Sequence, residues 1–124
     1  MHSEYEKEIR QHLIDIINGW RQHKHGKGQL HLHHDEGDKA RKHSEYLADI
    51  GKLEHTPKHF KSNWSENIAH IEDDINNRKV AELVFDGWKN SNEGHRETML
   101  NAQTHAGIGV VRRGKKVFVT ARFK

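Results

Sequence analysis

His105-Ala-Gly-Ile-Gly-Val-Val-Arg-Arg-Gly-Lys-Lys-Val-Phe-Val-Thr-Ala-Arg-Phe123 is the stretch whose reading decides the architecture. It holds two β-rich runs, His105–Arg112 and Lys116–Phe123, joined by Arg113-Gly114-Lys115. In the second run Val117, Val119 and Ala121 alternate with Phe118, Thr120 and Arg122, the period of a strand whose two sides meet different surroundings. The short glycine-containing connection predicts an antiparallel hairpin. Arg112, Arg113, Lys115 and Lys116 flank that turn and read as solvated turn residues.

Upstream of the hairpin the period changes to that of helices. Ser3-Glu-Tyr-Glu6 is a capping-box pattern, followed at helical spacing by Ile9, Leu13, Ile16, Ile17 and Trp20. This predicts an amphipathic helix over about 4 to 23, stopped by Gly26 and Gly28. Gln29–Asp35 alternates briefly. A second helix is predicted over about 35 to 50, with Ala40, His43, Ser44, Leu47 and Ala48 on one face and Gly51 as its stop. Residues 52–66 hold the only proline, Pro57, and read as an irregular loop. Glu66–Ile71 alternates weakly, as a short strand or extended run would. Val80, Leu83, Val84 and Trp88 mark a third helix over about 78 to 89. A short fourth helix is expected over Glu93–Asn101, capped by Ser91 or Asn92. Helices flanking a small antiparallel sheet make an α+β layered domain.

The chain has 124 residues, enough for one domain spanning 1–124. Only 32% of it is hydrophobic and 31% is charged, yet the apolar residues recur at regular spacings, which argues for a thin core and against disorder. The formal charge is +3, a small excess with no basic stripe interleaved with aromatics, so a nucleic-acid partner is not expected. There is no cysteine, which excludes disulfides, thiolate catalysis and Cys-ligated metal. No apolar run reaches the roughly 18 residues of a membrane-spanning helix. No leader pattern opens the sequence, so either the protein is intracellular or the sequence begins after a removed signal. The 13 histidines are the unusual feature, because mild acidification would charge many of them.

Asn18-x-x-Arg21, Leu53-Glu-His55-Thr-Pro57, Ser65-Glu66-Asn67-Ile68-Ala69 and Gly87-Trp88 followed by Gly94-His95-Arg96 occur in this order, and together they resemble the CAP superfamily (SCP/PR-1-like domains) in its bacterial form. Asn18 and Arg21 are similar to that family's early Asn-x-x-Arg. Ala40–Ala48 resembles the helix before its first site histidine. Leu53-Glu-His55-Thr-Pro57 resembles its His-Ser-Pro loop, and Ser65-Glu66-Asn67-Ile68-Ala69 its Gly-Glu-Asn-Ile-Ala motif. Gly87-Trp88-Lys-Asn-Ser91 followed by Gly94-His95-Arg96 and Met99-Leu100-Asn101 is similar to its Trp-x-x-Ser…Gly-His-Arg signature, and the closing strands are also alike. The order and spacing of these segments carry the resemblance. It implies an α–β–α sandwich with a central antiparallel sheet, and a cleft where two His and two acidic residues can hold a divalent metal. His55, Glu66 and His95 match three of the four positions. The fourth, usually acidic, is Ser91, and Glu93 is the candidate substitute.

Imidazole and carboxylate ligands suit Zn²⁺, so zinc or another divalent metal is the cofactor to test. The same groups also make a hydrogen-bonded cluster that pins loops without metal. The expected function is a CAP/SCP-like binding or interaction module, secreted and monomeric, with a small ligand or a protein as partner. The alternative is a hydrolase using Glu66 or Glu93 as general base with a metal-bound water, or Ser91 and His95 as nucleophile and base. His23, His25, His31, His33 and His34 form a second candidate patch for metal or for pH sensing, against a plain solvated loop. Trp20, Trp88, Met99 and Leu100 are read as core residues, Trp64 as a cleft or sheet-edge residue, Asn67 as a backbone anchor, and Arg96 as a partner for Glu93.

Overall fold

The computed structural model describes residues 2–57, 63–72 and 76–124. Residues 58–62 of the expected irregular loop therefore lie outside the described residues. Helix α1 spans Glu4–His25, and its capping box is made in full: Ser3 Oγ accepts from the Glu6 amide and the Glu6 carboxylate from the Ser3 amide. Helix α2 spans His34–Ile50, capped by the His33 side chain and ended by Gly51. Helix α3 covers Asn77–Lys89 behind an Asn76 cap. Helix α4, His95–Asn101, starts two residues later than expected. Its N-cap is Gly94 at φ 93°, with no side-chain cap, so neither Ser91 nor Asn92 caps it.

Strands β1 (His31–Leu32), β2 (Ser65–Glu72), β3 (His105–Arg113) and β4 (Lys116–Phe123) form one sheet in the order β1-β3-β4-β2. The expected hairpin is present, with β3 reaching Arg113 and pairing it with Lys116. The sheet is mixed, because the two residues of β1 pair in parallel with β3. Beyond β1, side chains cover the β3 edge: the Val110 amide donates to His2 Nε2 and the Arg112 amide to Glu6 Oε2. Covering an edge in this way blunts its tendency to pair with another chain.

The alternation in β4 divides the two layers. Val117, Val119, Ala121 and Phe123 join Ile9, Leu13, Ile17, Val80, Val84 and Trp88 in the main core under α1 and α3. Phe118, Thr120 and Arg122 face α2, where Leu47 packs on Phe118 and Ser44 Oγ donates to the Gly109 carbonyl and is hydrogen-bonded to the Thr120 hydroxyl. This is the α–β–α sandwich. Helix α2 lies directly on the backbone of β3: a Cβ on Gly109 would sit 2.0 Å from the Arg41 nitrogen, and one on Gly107 2.6 Å from Glu36. Only glycine permits that approach.

The paired Asn18 and Arg21 anchor loops. Asn18 donates to the Leu30 carbonyl and accepts its amide at 3.0 and 2.8 Å. Arg21, 1% exposed, donates to the carbonyls of Gly28, Met99 and Leu100. Trp88 is buried and donates to the Ile68 carbonyl, and Met99 is buried, whereas Leu100 is half-buried. Trp20 is also half-buried, edge-on to Phe85 and under the Arg96 guanidinium. Arg96 thus stacks on Trp20, and no ion pair joins it to Glu93 among the described residues.

Candidate functional site

Glu66 enters at the start of β2 opposite Arg122, on the side of the sheet that faces α2. Its side chain is fully buried and accepts four hydrogen bonds. Oε1 takes the Thr56 amide and His55 Nδ1, both at 2.9 Å. Oε2 takes the Thr56 hydroxyl at 2.7 Å and Arg122 Nε at 3.3 Å. A carboxylate offers about four lone-pair directions, so this one is saturated. Burial pushes the Glu66 carboxyl up, but the bonds from Thr56 and His55 outweigh it and hold the group below its ordinary value. Glu66 is therefore ionised at neutral pH and a weak base.

Arg122 continues the network. Nη1 reaches Glu36 of α2 at 3.3 Å and Nη2 the Thr56 hydroxyl at 3.0 Å. Thr56, Glu36 and Arg122 were not singled out by sequence. One signal was available: Arg122 interrupts an otherwise apolar strand on the same side as Thr120, and a cation there requires a buried counter-charge.

His55 is half exposed at the lip of this network. Because an ionised carboxylate only accepts, its Nδ1 carries the proton, and in the neutral ring Nε2 keeps its lone pair. His95 opens α4. Its Nδ1 lies 2.8 Å from Ser91 Oγ, which also accepts the Glu93 amide at 3.0 Å. A hydroxyl serves either tautomer, so Ser91 positions this ring without fixing its proton, as a carboxylate would. Asn67, next to Glu66, donates to the His95 carbonyl at 3.0 Å and ties α4 to β2. It anchors backbone, as expected.

Ser91, Glu93 and His95 line a cleft of about 460 Å³ along the β2 edge, together with Leu53, Ile68 and Leu83. The structure brings His55 to Glu66 and Ser91 to His95 as two pairs. Among the described residues no three His, Cys, Asp or Glu side chains are grouped so as to hold a metal ion. The donors fit at most a labile site built on imidazoles, not a closed four-ligand one.

The second histidine patch divides. His31 and His33 lie beside His105, with ring centroids 6.4 and 5.6 Å away, and His33 also meets Trp64. Trp64 packs at that end of the sheet, under Lys124. His25 packs on Trp20, and His34 pairs with Asp38.

Comparison with known proteins gives a consistent result. The sequence model described as CAP, cysteine-rich secretory protein family, matches residues 14–123. Among solved structures, an extracellular protein of Bacillus anthracis containing an SCP domain is 28% identical with a TM-score of 0.65. The match covers 96% of this chain and 41% of that one, so the chain spans less than half of that protein's length. An outer surface protein of Borrelia burgdorferi shares the fold at 18% identity and a TM-score of 0.72, covering 94% of this chain and 92% of that one. NaASP2, solved with Zn²⁺, shares it at 14% identity and a TM-score of 0.65, covering 98% and 82%. No curated protein matches by sequence. No helix among the described residues is long and apolar enough to cross a membrane.

Proposed function

The chain belongs to the CAP (cysteine-rich secretory protein) family, and from that premise we propose that it is a binding module that takes a divalent metal weakly at the β2 edge, through His55 beside Glu66 and through His95 in the cleft. The observation that carries this reading is the His55–Glu66 hydrogen bond of 2.9 Å, which leaves Nε2 as the ligating atom. Glu66 acts behind the ligand: a carboxylate on the far nitrogen of a ligating histidine orients the ring and raises its basicity. Glu93, on the loop before α4, is the carboxylate that lines the cleft with His95. A bound Zn²⁺ would supply a positive charge that draws an anionic or carbonyl oxygen of a partner. Export fits the same reading, since two similar structures come from an extracellular and an outer-surface protein.

Calorimetric titration of Zn²⁺ at pH 7.5 tests the assignment. The wild-type chain should bind one ion, and the His55→Ala, His95→Ala double variant should lose that binding. Equal binding by both proteins refutes it. Ser91→Glu, which restores the acid, should tighten binding about tenfold, a gain of about 1.4 kcal/mol.

A hydrolase is the second reading, favoured by the 2.8 Å contact of Ser91 Oγ with His95 Nδ1, the geometry of a nucleophile and its base. Treatment with a serine-reactive fluorophosphonate distinguishes them. Labelling at Ser91, lost in His95→Ala, would favour the enzyme, and an unlabelled protein the binding module.

A further inference from the structure

A second cavity lies at the opposite edge of the sheet from the histidine cleft, where the start of α1 and the length of α2 flank β3. Its volume of about 690 Å³ is in the range of small-molecule sites, roughly 300–1,000 Å³. The apolar surface is that of Leu32, which is 40% exposed, beside the backbone of Ile108, whose side chain is buried in the main core. The rim is cationic, with Lys7 and Arg10 from α1 and Arg41 and Lys42 from α2. Two carboxylates also line it, and both are engaged: Asp38 lies 3.4 Å from His34, and Glu45 pairs with Arg41. Four lining cations face two lining acids, and the buried Glu6 behind the rim also pairs with Arg41, which leaves an excess of one.

Two of these cations keep an unbonded N–H, although Arg41 is ion-paired with both Glu6 and Glu45. Arg10 has no carboxylate partner among the described residues, and its one polar contact is His2 Nδ1 at 3.4 Å. The Nε atoms of both Arg10 and Arg41 are buried without a hydrogen-bond partner. A guanidinium N–H stripped of water and unbonded raises the free energy of the empty groove, and an anion that lets the group turn and pair would remove that cost.

We infer that this groove binds a small organic carboxylate with an apolar body, its acid group on Arg10 and Arg41 and its body against Leu32. The local field agrees: burial first, then Arg10 and Arg41, push His2 down to about 4, so it remains neutral beside the two cations. An anion between the arginines would offset their effect. The site shares no lining residue with the β2-edge cleft and does not depend on the metal reading.

Amide-detected NMR titration of the whole chain with benzoate tests the inference, with inorganic phosphate (charge alone) and benzyl alcohol (body alone) as parallel probes. Benzoate should shift the Gly37 and Ile108 amides and the Arg10 Nε–H, with phosphate and benzyl alcohol each at least tenfold weaker. Arg10→Gln should weaken benzoate about tenfold. Gly37→Leu should abolish binding with the charges intact, because a Cβ there points at Ile108, 3.8 Å from its carbonyl oxygen, and leucine favours helix over glycine. Shifts confined to other regions, benzoate binding unchanged in both variants, or phosphate as effective as benzoate would each overturn the proposal.

Discussion

Replacing Glu66 by glutamine tests whether this carboxylate is a structural anchor. The amide keeps one acceptor oxygen and turns an NH₂ towards two of the four donors that converge on Glu66. With the oxygen in the place of Oε1, His55 and the Thr56 amide remain satisfied. The NH₂ then faces the Thr56 hydroxyl, which can rotate and accept, and Arg122 Nε, which cannot. Arg122 is 3% exposed and retains only Glu36 and Thr56. Leaving a buried charged donor unmatched costs about 1–3 kcal/mol, and breaking a buried ion pair about 3–5 kcal/mol. The surviving Glu36 contact sets the expected loss at the lower end, about 3 kcal/mol. For a chain of this size that lowers Tm by about 12 °C. Urea unfolding followed by circular dichroism, with EDTA present to remove any metal, measures it, and Glu93→Gln is the control that should leave stability unchanged. A loss below about 1 kcal/mol would refute the anchoring argument.

Acid should destabilise the protein in two stages. His2 is held at about 4 against an ordinary 6.5, so the unfolded chain takes up that proton first and stability falls as pH drops from 6.5 towards 4. Glu6 and Glu66 lie below their ordinary 4.5, because hydrogen bonds outweigh the opposing effect of burial; their contribution is present above 4.5 and lost as pH falls through the lower folded values. Thermal melts at pH 7.5, 5.5 and 3.5 should decline throughout, and His2→Gln should flatten the upper limb alone; equal Tm at pH 7.5 and 5.5 in the wild type would contradict this. Gly109→Ala should cost more than about 3 kcal/mol or prevent folding, since its Cβ would overlap α2 backbone, whereas Gly19→Ala, with nothing within 4 Å, should be neutral or gain up to about 1 kcal/mol. Asn18→Ala strands the amide and carbonyl of buried Leu30 and should cost about 2–4 kcal/mol in the same urea assay.

Capping and periodicity are local, and the elements they specify were legible. Ser3 and Glu6 mark the start of α1 within one turn, Gly26 and Gly51 end α1 and α2, and the alternation of Val117–Phe123 both makes β4 a strand and assigns its two faces. His55 and Glu66 were legible as neighbours only through the resemblance of their separate motifs, because nothing within either segment refers to the other. Tertiary packing decided the rest. Two residues are too few for a pattern, so the parallel pairing of β1 depends on where β3 lies. Helix α4 starts at His95 behind a Gly94 cap, and Ser91 bonds the ring of His95 and the Glu93 amide instead of capping the helix. Glu66 became saturated because Thr56, 10 residues before it, and Arg122, 56 residues after it, were folded onto the same carboxylate. A buried charge is satisfied by whatever the fold brings within hydrogen-bond reach, and that distance is a property of the assembled sheet and α2 together, not of any window of sequence.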